Sequence, residues 1–263
     1  MFGAIIGDTV GSVYEFKNNI DYNFKMLTKY SEPTDDTIMT LAVADILSNN
    51  KWNDIDYIID TFKKWGRSYP NAGYGHHFCS WLIGNDRAPY NSCGNGSAMR
   101  VSPCGWYGNS YEEVKEMAIN VTKVTHNHPE GIKGAVVVAE CIYMARIGKS
   151  REEISEYVQE YYDINLNYDE LKKTYYNAPI VCQYTVPVAI YCFLISKDFE
   201  DCLRLSVSLG GDADTTAAIA CSIAEAYYKD INKDLLFDVI SRLKPKNGLD
   251  IEKLIDDHLE QIK

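Results

Sequence analysis

The chain has 263 residues, of which 46% are hydrophobic, so a sizeable core is available to one large domain or two small ones. Its formal net charge of −11 argues against a nucleic-acid scaffold, which would carry a basic surface. No run approaches a membrane span, the start lacks the basic residues of a signal peptide, and the eight cysteines include no C-x-x-C pair. These features predict a protein of a reducing, cytoplasmic compartment with no membrane partner.

Helical periods dominate the chain, and β-alternation is scarce. Gly7–Glu15 predicts a helix whose glycines, with Gly3, fall on one face, where a neighbouring helix must pack closely. Further helices are predicted over residues 38–47, 54–65, 112–123, 131–146, 151–162, 187–195, 199–208, 215–228, 233–242 and 251–262. Segment 131–146 is apolar nearly all round, which indicates a central buried helix. Without repeats or long linkers, the pattern predicts one compact all-α domain over residues 1–263.

Several single residues have predicted structural roles. Asp198 and Asp212 stand directly before helical patterns and are predicted to be N-caps. Four cysteines in apolar helical stretches are predicted to be small core residues: Cys182, Cys192, Cys202 and Cys221.

Two acidic motifs lie far apart, each directly before a predicted helix. They are Thr34-Asp35-Asp36-Thr37 and Gly211-Asp212-Ala213-Asp214-Thr215-Thr216. Capping explains one oxygen at each helix start, because Thr and Asp are preferred N-cap residues. Four aspartates brought together would repel one another unless a cation lay between them, and carboxylate and hydroxyl oxygens suit a hard cation such as Mg²⁺. Two interpretations therefore stand, simple capping and a site for one or two metal ions.

Loops hold the other unusual residues. Gly94–Ser97 either cradles a phosphate through backbone N–H groups or forms an ordinary turn, and Arg100 pairs either with a phosphate or with a carboxylate. His126 and His128 lack the further ligands of a zinc site, so a ligand contact or a helix cap is the better interpretation. Glu15 is either a solvated charge or an acid/base group.

Five segments, in order, resemble the ADP-ribosylglycohydrolase family: residues 7–15, 34–37, 94–100, 125–130 and 209–216. The resemblance spans nearly the whole chain. It implies an orthogonal all-α fold with a centre of two Mg²⁺ or Mn²⁺ ions. The implied metal ligands are Thr34, Asp35, Asp36, Asp212, Asp214 and Thr215.

The activity implied by the resemblance is hydrolysis of the glycosidic bond between ADP-ribose and an acceptor, either a protein side chain or a small molecule. Catalytic roles would fall on Glu15, Asp35 and Asp214. The implied contacts to the ADP-ribose part are Ser92, Gly94, Asn95, Gly96, Ser97 and His126. The partner would be a substrate that contains ADP-ribose, such as an ADP-ribosylated protein. The alternative is a non-catalytic protein that binds ADP-ribose or confers toxin immunity.

Overall fold

The computed structural model describes residues 1–262, which form fourteen α-helices and two short 3-10 helices, at Asn95–Ser97 and Tyr175–Asn177. The α-helices are α1 (Phe2–Gly11), α2 (Asp35–Ser48), α3 (Ile55–Ser68), α4 (His76–Ile83), α5 (Ser102–Tyr107), α6 (Tyr111–Lys123), α7 (Pro129–Arg146), α8 (Arg151–Gln159), α9 (Tyr168–Thr174), α10 (Cys182–Ile195), α11 (Phe199–Ser208), α12 (Ala213–Tyr228), α13 (Lys233–Ile240) and α14 (Ile251–Ile262). Among these residues β-structure is limited to two isolated bridges. The predicted all-α fold class is confirmed.

Several helices follow their local sequence signals. Helix α11 has the predicted bounds, and the Asp198 side chain accepts a hydrogen bond from the Asp201 N–H at 2.7 Å, so this predicted cap is confirmed. Helix α7 is largely buried, as predicted, and begins after His128, whose Nδ1 accepts from the Glu130 N–H at 3.1 Å. Of the two histidines in that loop, His128 is therefore the helix cap.

Other helix bounds differ from the predictions. Helix α1 ends at Gly11, so Glu15 lies in the turn after the helix rather than within it. Helix α10 begins five residues before Pro187, which the sequence pattern had suggested as its start. Helix α4 occupies a segment where no helix was predicted.

Helices α1 and α12 lie backbone against backbone. A Cβ atom on Gly7 would lie 2.4 Å from the carbonyl carbon of Ala217, and one on Gly11 would lie 2.4 Å from Cα of Asp214. At the other end of α1, a Cβ on Gly3 would lie 2.0 Å from the Cys221 carbonyl oxygen. The close helix neighbour predicted for the glycine face is thus α12, and the two helices run antiparallel.

The α1–α12 pair sits inside a shell formed by α2, α7, α10 and α11. The four cysteines predicted for the core are buried, and all eight cysteines are free thiols. Within residues 1–262, no helix has both the length and the apolar character needed to cross a bilayer. The antiparallel packing places the end of α1 beside the start of α12, where the second acidic motif lies.

Candidate active site

A cavity of about 400 Å³ lies where the first turns of α2, α4 and α12 meet the loops around residues 15 and 94. Both acidic motifs contribute to its wall. The predicted site residues that line it are Glu15, Asp35, Asp36, Ser92, Gly94, Asn95, Gly96, His126, Asp212, Asp214 and Thr215. Motifs almost 180 residues apart are therefore brought to one cavity. Of the predicted residues, Thr34 and Ser97 lie outside this lining.

The carboxylates form two groups that share one member. Oxygens of Asp8, Asp36 and Asp214 lie within 4.8 Å of one another, and so do oxygens of Glu15, Asp212 and Asp214. The Thr215 hydroxyl donates to Asp36 Oδ2 at 3.2 Å and joins the two motifs directly. The spacing brings enough oxygen atoms together to surround a cation.

Neither acidic motif caps its own helix. Thr34 and Asp212 occupy the N-cap positions of α2 and α12, yet neither side chain accepts a capping hydrogen bond. The prediction that the Asp212 side chain caps α12 is wrong, and the simple capping interpretation fails for both motifs. Their side chains are directed to other partners instead.

Asp8 is the carboxylate that sequence reasoning missed as a site residue. It is fully buried and accepts from the Thr34 N–H at 2.8 Å, the Thr34 hydroxyl at 2.6 Å and the Thr37 N–H at 3.0 Å. Asp8 therefore satisfies the start of α2 from a different helix. The available signal was a single charged residue within the apolar run of α1, since a buried charge requires partners.

Burial raises the pKa of five carboxyl groups in and beside this cluster. The pKa of Asp8 rises to about 6, despite the hydrogen bonds that oppose the change. Burial and then the neighbouring carboxylates raise the pKa of Glu15 to about 7 and that of Asp35 to about 8. The pKa values of Asp36 and Asp214 rise well above the ordinary range for the same two reasons.

The donor set fits a hard divalent cation. Asp36 Oδ1 is buried without a hydrogen-bond partner among the described residues. A buried acceptor left without a partner costs about 1–3 kcal/mol, and a cation would both satisfy it and reduce the repulsion between carboxylates. All candidate ligand atoms are oxygens, which Mg²⁺ and similar ions prefer.

The glycine loop contacts the acidic wall. The Asn95 side-chain amide donates to Asp212 Oδ2, and to the Thr185 hydroxyl at 3.0 Å. Ser92 Oγ accepts from the Gly94 N–H at 3.1 Å, which shapes the entry to the loop. Ser97, in contrast, donates to the Gly131 carbonyl oxygen at 2.9 Å and is buried, so it anchors the loop to α7.

Arg100 lies behind this loop. Its Nη2 donates to the Thr125 hydroxyl at 2.8 Å and to His126 Nδ1 at 2.9 Å, so the residue is engaged with these two neighbours rather than with a carboxylate. Burial and then the charge of Arg100 lower the pKa of His126 well below its usual value. His126 therefore lines the cavity as a neutral ring.

Further lining residues had no predicted role: Phe16, Gly73, Gly75, His76, His77, Phe78, Tyr90, Met99 and Ile180. Most of them come from the Gly-rich turn before α4 and from α4 itself. That turn was visible in the sequence as Gly73–Gly75, but no chemical pattern connected it to the acidic motifs.

Residues 1–263 match the family model described as ADP-ribosylglycohydrolase. The chain is 29% identical to ADP-ribosylhydrolase ARH3 of Bos taurus, over 86% of this chain and 83% of that protein. It is 27% identical to the ADP-ribosyl-dinitrogen reductase glycohydrolase of Rhodospirillum rubrum, over 97% and 92%. A solved structure titled ADP-ribosylglycohydrolase-related protein complex has a TM-score of 0.70 at 22% identity, over 99% and 96% of the two chains, and shows the same fold.

Proposed function

Because the chain belongs to the ADP-ribosylglycohydrolase family, we propose that it is an enzyme that hydrolyses the glycosidic bond between ADP-ribose and an acceptor. The relatives from Bos taurus and from Rhodospirillum rubrum are both named as hydrolases of ADP-ribosyl groups. The observation that carries the proposal is that one cavity joins a carboxylate cluster to a glycine loop and a neutral histidine. These are the groups needed to hold a ribose and a diphosphate side by side.

The proposed cofactor is Mg²⁺ or Mn²⁺, with two ions. The two groups of carboxylates that share Asp214, and the unpartnered Asp36 Oδ1, support this number and this chemistry. The residues that would hold the ions are Thr34, Asp35, Asp36, Asp212, Asp214 and Thr215. The Thr34 hydroxyl donates a hydrogen bond to Asp8, which leaves the lone pairs of its oxygen free for a cation. Asp8 would therefore orient Thr34 as a metal ligand. When bound, such ions hold ribose hydroxyls and acidify a water molecule.

The proposed reaction passes through an oxocarbenium-like transition state at the anomeric carbon of the ribose. The acidic wall stabilises the positive charge that develops there. Glu15 is the proposed base for the attacking water, because its carboxylate lines the cavity and lies within 4.8 Å of ligand oxygens of Asp212 and Asp214. The backbone of Gly94–Gly96 and the ring of His126 hold the diphosphate, where glycine allows close approach.

Calorimetry with free ADP-ribose tests the binding part of this proposal. Binding should require Mg²⁺ or Mn²⁺ and should disappear in EDTA, since a protein with a net charge of −11 binds this anion only through local positive features. Binding that EDTA leaves unchanged would move the ligand away from the aspartates. No binding at millimolar ADP-ribose would favour another substrate class.

Turnover is tested with a panel of ADP-ribosylated proteins, peptides and small molecules. Glu15→Gln should abolish hydrolysis while ADP-ribose still binds. Glu32→Gln is the matched control, because Glu32 is an exposed carboxylate outside the cavity that forms a 3.6 Å ion pair with the exposed Lys244. Tight binding of ADP-ribose without hydrolysis of any panel member would favour the non-catalytic alternative.

A further inference from the structure

Arg100 is a buried cation whose environment is unusual. Its side chain is only 1% exposed, and its guanidinium carbon lies 4.9 Å and 5.5 Å from the ring centres of Phe62 and Phe78. Burial lowers its pKa to about 10, which leaves it protonated at neutral pH. Its Nη2 donates to a hydroxyl and an imidazole on the loop before α7. A charge placed in this way acts on the cavity through the groups it contacts.

The contact with His126 determines which ring nitrogen carries the proton. A guanidinium only donates hydrogen bonds, so Nδ1 of His126, 2.9 Å from Arg100 Nη2, must accept. The Thr125 hydroxyl lies 2.8 Å from the same Nδ1 and itself accepts from Arg100, so its proton is free to point to Nδ1 as well. Arg100 therefore requires an unprotonated Nδ1, whereas the Thr125 hydroxyl could serve either tautomer, and with Arg100 in place the single proton of the neutral ring resides on Nε2.

The opposite ring nitrogen faces the glycine loop. A Cβ atom on Gly96 would lie 3.2 Å from His126 Nε2, and one on Gly94 would lie 3.6 Å from it. The residues at 94 and 96 thus leave room for this edge of the ring at the wall of the cavity. An Nε2–H group at this place is a donor held in position for a ligand oxygen.

We propose that Arg100 is a positioning residue that fixes His126 as the Nε2–H tautomer, so that the ring presents one N–H donor to an anionic oxygen of the ligand. The identity of that oxygen as part of the diphosphate rests on the proposed function, whereas the tautomer does not. Arg100 also borders the cavity, but it is only 1% exposed and both hydrogen bonds of its Nη2 are to Thr125 and His126. Its effect on affinity passes through the imidazole.

Nitrogen-15 NMR of the ligand-free protein with labelled histidines tests the tautomer. The His126 signals, assigned by their loss in His126→Gln, should show a protonated Nε2 and an unprotonated Nδ1. Arg100→Met should convert this pattern into a mixture of tautomers. A wild-type spectrum with the proton on Nδ1, or an unchanged pure Nε2–H tautomer in Arg100→Met, would overturn the proposal. The wild-type spectrum decides even if the variant folds poorly.

A double-mutant cycle on ADP-ribose affinity with Mg²⁺ tests the route of action. Arg100→Met should weaken binding roughly tenfold in the wild-type background. This is the loss expected when His126 no longer always presents Nε2–H to the anionic oxygen of the ligand. In the His126→Gln background, where an amide N–H₂ replaces the ring donor, the same change should have little further effect. Equal losses in both backgrounds would show that Arg100 acts independently of His126.

Arg151→Met is the matched control. Arg151 also lies beside two aromatic rings, those of Tyr227 and Tyr228 at 5.5 Å and 5.6 Å, and donates to backbone carbonyl oxygens away from the cavity. It should lower thermal stability as Arg100→Met does, while the His126 tautomer and the ADP-ribose affinity stay unchanged. If wild-type protein fails to bind ADP-ribose, the proposed function fails, and the NMR result still decides the role of Arg100.

Discussion

The two ends of the α1–α12 pair each bury carboxylates, but they treat them differently. At one end, Glu225 accepts from the Met1 amine at 2.7 Å, from His258 at 2.7 Å and from the N–H groups of Phe2 and Gly3. Burial alone would raise the pKa of Glu225, but these partners outweigh it and lower the pKa to about 2. At the other end, Asp214 lies among further carboxylates and its pKa is raised well above normal.

This difference separates a structural carboxylate from a site that needs something from outside the chain. Glu225 has its counter-charge and hydrogen-bond donors within the protein, so it fixes the fold. Around Asp214 the donors are few and the nearest charges are of the same sign, which is stable only with protonated carboxyls or a bound cation. The same pair of helices thus carries a structural carboxylate at one end and the candidate active site at the other.

The largest expected effect comes from neutralising Asp214, at the end of the α1–α12 pair where carboxylates lack counter-charges. Asp214→Asn should lower hydrolysis by more than about 100-fold, because even groups that only orient metal ligands cost roughly 10- to 100-fold. In EDTA the variant should be at least as stable as wild type, since it removes one of several repelling carboxylates. Steady-state assays and thermal melts measure both. Near wild-type turnover would show that the site is assigned to the wrong residues.

Neutralising Glu225, at the other end of the pair, should lower stability and leave activity unchanged. Glu225→Gln, also an isosteric change on α12, should lower the free energy of unfolding by about 3 kcal/mol, because it removes the buried carboxylate that accepts hydrogen bonds from the Met1 amine and His258. Eleven residues, or about 16 Å of helix, separate it from Asp214, so turnover of the folded fraction should not change. Denaturant melts and assays at low temperature test this. A stable but inactive variant would contradict the comparison.

The contact between the two ends can be tested at Gly7. Gly7→Ala places a methyl group 2.4 Å from backbone atoms of α12 that cannot move aside, and should cost about 1–3 kcal/mol of stability. Gly75→Ala is the control, because within residues 1–262 no heavy atom other than those of Gly75 and its two chain neighbours lies within 4 Å of its Cβ position. Equal melting midpoints for the two variants would mean that α1 and α12 are less tightly packed than described.

Local signals explain what the sequence could predict. The acidic motifs stand at helix starts and carry their chemistry within four or six residues, so they were visible without the fold. The bounds of α10 were not, because Pro187 suggested a start, whereas packing continues the helix five residues before it. Asp8 and the Arg100–His126 contact were also hidden, since each depends on a partner at least 26 residues away in the chain.

The smallest expected effect is a dependence of metal-free stability on pH. In the folded protein the pKa values of Asp8, Glu15 and Asp35 are raised to about 6, 7 and 8, so these carboxyl groups bind more protons in the native state than in the unfolded chain above about pH 4. The lowered pKa values of the Met1 amine, His126 and His258 oppose this effect, and the raised carboxyl groups, with Asp36 and Asp214, outnumber them. Stability in EDTA should therefore fall as the pH rises from 5 to 8. The midpoint should drop by at least about 3 °C, the shift that 1 kcal/mol produces in a domain of this size.

Mg²⁺ or Mn²⁺ should reverse this trend, because the cation binds the deprotonated cluster and its stabilisation grows as protons leave. Asp214→Asn should show a weaker dependence in EDTA, because it removes one of the carboxyl groups whose pKa is raised. Melts at several pH values, with metal and with EDTA, give all of these slopes. A metal-free midpoint that is flat or rises from pH 5 to 8 in wild type would show that the clustered carboxylates already find their compensation within the protein, as Glu225 does.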